Sequence, residues 1–124
     1  MPRTEINQFG TVRYYNESNQ LHREDGPAVE YPNGDKEWYV NGQFHRSDGP
    51  AIECTDGNKE WWVNGRRHRL NGPAIEYANG NKEWRQNGKL HRTDGPAIER
   101  ANGDKNYSLY GKEISKNRLY SYRN

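Results

Sequence analysis

Apolar residues are scarce in this chain. They make up 30% of its 124 residues, against about 45–50% in ordinary globular domains, and the mean hydropathy is -1.43. No apolar run is long enough to span a bilayer, and the opening MPRTEINQFG lacks the apolar stretch of a signal peptide. A single cysteine, Cys54, excludes an internal disulfide framework. The formal net charge of +2 is too small for the clustered basic face of a dedicated nucleic-acid binder. These absences disfavour membranes and nucleic acid as partners and set a cytoplasmic location as the expectation. Helical periodicity is missing too.

What the chain has is aromatic area and mixed charge. Four Trp, nine Tyr and two Phe bring the aromatic fraction to 12%, and large rings bury much surface per residue. Charges of both signs are spread along the chain and not gathered in blocks, which argues for order despite the hydropathy. An ordered domain with a thin, aromatic-rich core is the reading.

The strongest signal is a period of 23 residues. The segment HREDGPA at 22–28 returns as HRSDGPA, HRLNGPA and HRTDGPA. His22, His45, His68 and His91 therefore fall in register, as do Gly26, Gly49, Gly72 and Gly95 with the prolines after them. Trp38, Trp61 and Trp84 recur, with Tyr107 in the fourth place and Ile114 where a fifth histidine would stand. Residues 1–124 read as one repeat domain. Residues 1–20 are a degenerate N-terminal cap, 21–112 hold four repeats, and 113–124 form a C-terminal cap.

Each unit reads as two short strands, exemplified by PAIEY and KEWYV. Asn41-Gly42, Asn64-Gly65 and Asn87-Gly88 are two-residue hairpin turns, since both positions tolerate positive φ. Such a turn sets Tyr39 against Phe44 on one face and Trp38 against His45 on the other. By repetition it sets Trp62 against Arg67, Arg85 against Leu90, Trp61 against His68 and Trp84 against His91. The loop before it reads as three residues ending at Gly34, because that register pairs Glu30 with Lys36 and avoids Glu30 against Glu37. The fold class is all-β: an elongated antiparallel meander, a single-layer twisted sheet of 23-residue two-stranded repeats.

A 23-residue, two-stranded unit carrying EWYVNGQFH and EYPNG resembles the MORN repeat over roughly residues 12–112. That resemblance implies an elongated twisted sheet serving as a scaffold or protein-binding module. The chain departs from the pattern by placing Arg23, Arg46, Arg69 and Arg92 where MORN units usually have glycine. Units of the form HRxDGPAIEYxNGxKEW also resemble those of bacteriophage and large DNA-virus proteins. That second resemblance carries no activity with it; separately, an adaptor or inhibitor, such as a phage-encoded counter-defence protein working in a host cytoplasm, is the functional expectation.

The four histidines pose the functional question. Successive ones lie two strands apart, about 10 Å at about 4.8 Å per strand, so they form a ladder and cannot share a metal ion. Nor does any hydroxyl or thiol recur beside them, as a nucleophile–base pair would require. The expectation is no enzyme activity, no metal and no cofactor. His22, His45, His68 and His91 with Trp38, Trp61 and Trp84 are instead a structural ladder. In it imidazole meets indole, ring nitrogens bond turn backbone, and the next Arg reaches the Asp two residues on or the Glu of the next strand pair.

If recurring positions build the scaffold, varying ones are free to meet a partner. They give a stripe of Tyr39, Phe44, Trp62, Arg66, Arg67, Arg85, Lys89 and Leu90, rich in the residue types of binding hot spots. Capture of a protein partner is the leading expectation, and a small-molecule or nucleotide binder is the alternative. Open sheet edges offer a homodimer as a further mode, with Leu119, Tyr120 and Tyr122 dressing the C-terminal edge.

Overall fold

The computed structural model describes residues 2–123. The chain falls into two compact units, one ending at Arg66 and the other beginning at Arg67. Both are built from antiparallel hairpins taken in chain order, as the meander reading requires.

In the first unit β1 (Arg3–Ile6), β2 (Val12–Tyr15), β3 (Val29–Glu30), β4 (Lys36–Glu37), β7 (Ile52–Glu53) and β8 (Lys59–Glu60) pair in that order. Between β4 and β7, β5 (Tyr39–Val40) and β6 (Gln43–Phe44) make a separate two-stranded ribbon. Then β9 (Trp62–Val63) closes the unit, and the division falls inside β10 (Arg66–Arg67). In the second unit β11 (Ile75–Glu76), β12 (Lys82–Glu83), β15 (Ile98–Glu99), β16 (Lys105–Leu109) and β17 (Lys112–Ile114) pair in order. There β13 (Arg85–Gln86) and β14 (Lys89–Leu90) form the ribbon.

A repeat thus holds four two-residue strands where the sequence suggests two longer ones. The break falls at the tryptophan. The Trp38 N–H donates across to Ala51 (2.7 Å), while its carbonyl accepts from His45 within its own hairpin (3.1 Å). Hydrogen bonding therefore switches partner at Trp38, and the chain leaves the sheet for the ribbon.

Register explains why such short strands hold. On one face Glu30, Lys36, Glu53 and Lys59 stand opposite one another in succession. In the second unit Glu76, Lys82, Glu99 and Lys105 do the same. Opposite charges directly across an antiparallel pair are stabilising, each by about 0.2–1 kcal/mol. The other face runs Val29, Glu37, Ile52, Glu60. Ala28, Ala51, Ala74 and Ala97 are fully buried, with Val29 and Ile75, and make up most of a thin core.

Both turns take the expected forms. Tyr31 N–H donates to Asp35 and Gly34 N–H to Tyr31, closing a three-residue loop with Gly34 at φ 99°. Asn41 (φ 49°) and Gly42 (φ 80°) make the two-residue turn, and Tyr39 opposes Phe44.

Residues 3–15 repeat the same design. Asn7 N–H bonds Thr11 and Gly10 N–H bonds Asn7, with Gly10 at φ 91°. The following turn is longer: Asn16 N–H reaches Gln20, and Asn19 takes φ 63°. The C-terminal segment departs from expectation. Lys116–Arg123 is an α-helix, α1, started by Ser115, whose Oγ accepts the Arg118 N–H at 3.1 Å as an N-cap does. Leu119 is buried and not displayed on a sheet edge, Tyr120 is exposed, and the side chain of Tyr122 lies outside the described residues. No helix among the described residues is long and apolar enough to cross a membrane.

Candidate functional site

The HRxDG segments turn out to be joints between successive hairpins. Each histidine Nδ1 accepts the first N–H of the next unit's tight turn. Asn41 N–H donates to His22 (3.0 Å) and Asn64 N–H to His45 (3.0 Å). In the second unit Asn87 N–H donates to His68 and Tyr110 N–H to His91, both at 2.9 Å. The turn's second N–H goes to the residue before the histidine: Gly42 to Leu21, Gly65 to Phe44, Gly88 to Arg67 and Gly111 to Leu90. An Nδ1 that accepts carries no proton, which fixes these imidazoles in the Nε2–H tautomer.

At three of the recurrent aromatic rings an arginine guanidinium covers the ring face. Arg46 lies over Trp38 with its Cζ 3.8 Å from the centroid, Arg92 over Trp84 at 3.8 Å, and Arg23 over Tyr14 at 4.1 Å. Each guanidinium is then satisfied in plane. Arg46 Nε donates to Asp48 (3.0 Å), and its Nη1 donates to the Pro50 carbonyl and to Glu53 (both 3.0 Å). Arg23 repeats this with Asp25, Pro27 and Glu30, and Arg92 with Asp94, Pro96 and Glu99. Arg69, whose Asp position holds Asn71, keeps its bonds to Pro73 and Glu76.

Glycine completes the joint. A Cβ at Gly49 would stand 3.0 Å from Arg46 Cζ, and one at Gly95 2.8 Å from Arg92 Cζ. The DGP glycine is thus required for close approach of the guanidinium, a reason the turn reading overlooks.

The stripe positions divide between the units. In the first, the Tyr39 and Phe44 rings stack with centroids 4.3 Å apart, and Phe44 meets Trp62 at 5.1 Å. All three are half-buried and Arg66 is exposed. In the second, Arg85 opposes Leu90, both half-buried, with Lys89 exposed beside them. Arg67, half-buried, gives its carbonyl to Gly88.

One relationship escapes the sequence reading. The varying residue after each recurrent ring donates to the side chain two positions earlier. Tyr39 Oη donates to Glu37 (3.1 Å), Trp62 Nε1 to Glu60 (2.9 Å), Arg85 Nε to Glu83 (2.9 Å) and Ser108 Oγ to Asn106 (2.7 Å). Residue type varies while the presence of a donor does not. Glu37 also accepts from Tyr31 Oη (3.3 Å). Burial first, and then the Glu37 carboxylate, push the Tyr39 and Tyr31 hydroxyls above the ordinary tyrosine range.

The remaining features are quieter. Burial raises the Cys54 thiol above its usual value, so it stays protonated and poorly nucleophilic at neutral pH. Among the described residues no three His, Cys, Asp or Glu side chains gather as metal ligands would. A polar cleft of about 260 Å³ between the Arg23 and Arg46 loops is floored by Trp38 and His45. No family model matches the chain, and no curated protein matches it either.

Proposed function

We propose that the chain is a non-enzymatic binding module that captures a protein partner, in the manner of an adaptor or inhibitor. The carrying observation is the ring series Tyr39–Phe44–Trp62, in contact from one ring to the next and half-open to solvent. Its polar edges are held by Glu37 and Glu60, so the rings are pre-positioned and lose little rotamer freedom on binding. Large, fixed aromatic surface flanked by an exposed arginine is the composition of an interface hot spot. In the second unit, taken by itself, Arg85, Lys89 and Leu90 stand at the equivalent repeat positions, Arg85 being cationic where the first unit is aromatic.

The non-enzymatic reading draws on the histidines. Their Nδ1 lone pairs are taken by turn amides, and the same bonded group recurs four times where an active site is normally unique. The test is an affinity capture from host lysate with wild-type protein, a Phe44→Ser/Trp62→Ser variant and a His45→Ala variant, each checked for fold by circular dichroism. A partner retained by His45→Ala and lost by the aromatic variant agrees with the proposal. Equal capture by all three removes the ring series from consideration. Calorimetry against a nucleotide panel addresses the small-molecule alternative, and saturable heat would favour it.

A further inference from the structure

Among the described residues β1 has a strand on one side only, and the alternation of its hydrogen bonds says which groups its other side offers. Asn7 N–H donates to Thr11 (3.1 Å) and Tyr14 N–H to Ala28 (2.9 Å). With Glu5 opposite Arg13 and Arg3 opposite Tyr15, the odd-numbered residues of β1 direct their backbone groups towards β2. Thr4 and Ile6 therefore direct theirs outward. All four residues of β1 are exposed, Ile6 to 68%. The strand has no lysine, no bulge and no internal proline, and its two charged side chains, Arg3 and Glu5, are of opposite sign.

We propose that this edge pairs with β1 of a second copy of the chain, antiparallel about a two-fold axis at Thr4. The inference is independent of the aromatic series. Centring on Thr4 makes it a hydrogen-bonded pair with its counterpart, so that each N–H meets the other's carbonyl. Ile6 N–H then falls opposite the carbonyl of Pro2 in the second copy, where proline's missing N–H costs nothing. Arg3 stands opposite Glu5 of the second copy, and Glu5 opposite its Arg3. Within one chain Arg3 Nη1 already meets Glu5 at 2.9 Å, so pairing assembles four charges of alternating sign on one face. The neighbouring register, centred on Glu5, offers as many backbone bonds but sets Glu5 against Glu5, a destabilising contact. Charge thus selects Thr4 as the centre. Four residues a side make a small interface, and a weak, reversible dimer follows.

Sedimentation velocity over a protein concentration series from about 10 μM to about 1 mM, spanning the weak-affinity range, tests this. Wild-type protein shifts from monomer to dimer across the series. Thr4→Pro removes only an outward N–H, leaves the pairing with β2 intact, and weakens association by about tenfold or more. Glu5→Arg sets like charges across the axis and also abolishes the dimer, while the Arg3→Glu/Glu5→Arg double exchange restores it. The double exchange keeps the test decisive should Thr4→Pro fail to fold. A wild-type protein that stays monomeric overturns the proposal, as does a dimer that persists undiminished in folded Thr4→Pro and Glu5→Arg variants. A folded double exchange that stays monomeric overturns it too.

Discussion

Arg46 lies flat over Trp38, 3.8 Å from the indole centroid, with Gly49 pressed against the same guanidinium. Three other groups converge on that arginine: Asp48, the Pro50 carbonyl and Glu53. The HRxDG segment is therefore organised around its arginine, and the histidine beside it has the separate task of receiving the next turn.

Arg46→Lys retains the charge and discards the geometry. A lysine cannot donate in three directions from one plane while stacking on Trp38. Loss of two or more partly buried, charge-assisted bonds predicts destabilisation of about 1–3 kcal/mol. Urea denaturation of the variant, compared with the exposed control Arg100→Lys, measures it.

Gly49→Ala should destabilise although the φ of Gly49 is not positive, because the added Cβ meets Arg46 Cζ at 3.0 Å. The cost is thus coupled to the arginine. In an Arg46→Ala background Gly49→Ala becomes nearly neutral, and a double-mutant cycle should return a coupling of about 0.5–2 kcal/mol. Gly42→Ala is the contrast. It sits at φ 80°, its cost arises from backbone strain, and that cost persists whatever occupies position 46.

Acid should loosen the second unit through His91. Its ring is buried (7% exposed), and burial holds its pKa below the ordinary 6.5. The unfolded chain therefore takes up the proton first, so the contribution of His91 is fully present above pH 6.5 and is lost as pH falls below it. Protonating Nδ1 would also break the bond from Tyr110 N–H (2.9 Å). Thermal melts from about pH 8 to about pH 5 should show a steeper acid loss for wild type than for His91→Gln, which retains an acceptor and does not titrate.

Much of this was open to reading in the sequence, and the exceptions have physical causes. The 23-residue period, the Asn-Gly turns and the Glu30–Lys36 register follow from local turn chemistry and cross-strand charge. The arginine–aromatic stack did not, because a histidine directly across from a tryptophan is the nearer guess when only strand pairing is considered. Reaching over the ring takes the long arginine side chain and the missing Cβ at Gly49. The hairpin of residues 3–15 is obscured by one extra residue in its second turn, between Asn16 and Gln20, which throws it out of period. Helix α1 has no amphipathic pattern, and Ser115 was its one local signal. For the candidate stripe, positions were legible as variation between copies. The carboxylates Glu37 and Glu60 that hold them were not, since a recurring glutamate is explained equally well by charge pairing.

His45→Ala should lower the melting temperature, because Asn64 N–H loses its acceptor and the turn it begins loses its tie to the preceding hairpin. Partner capture through Tyr39, Phe44 and Trp62 should survive at temperatures where the variant is folded. Differential scanning calorimetry paired with the capture assay separates the two effects, and loss of capture in a variant that melts normally would return the histidines to the functional site.

The histidines serve as fittings, each with Nδ1 occupied by a backbone amide of the next turn. Nitrogen-15 NMR of the imidazoles at mildly alkaline pH reads this directly. The expected result is an unprotonated, hydrogen-bonded Nδ1 and a protonated Nε2 in His22, His45, His68 and His91, with slow exchange of the amides of Asn41, Asn64, Asn87 and Tyr110. Rings protonated at Nδ1, or averaging between tautomers beside fast-exchanging turn amides, would contradict it.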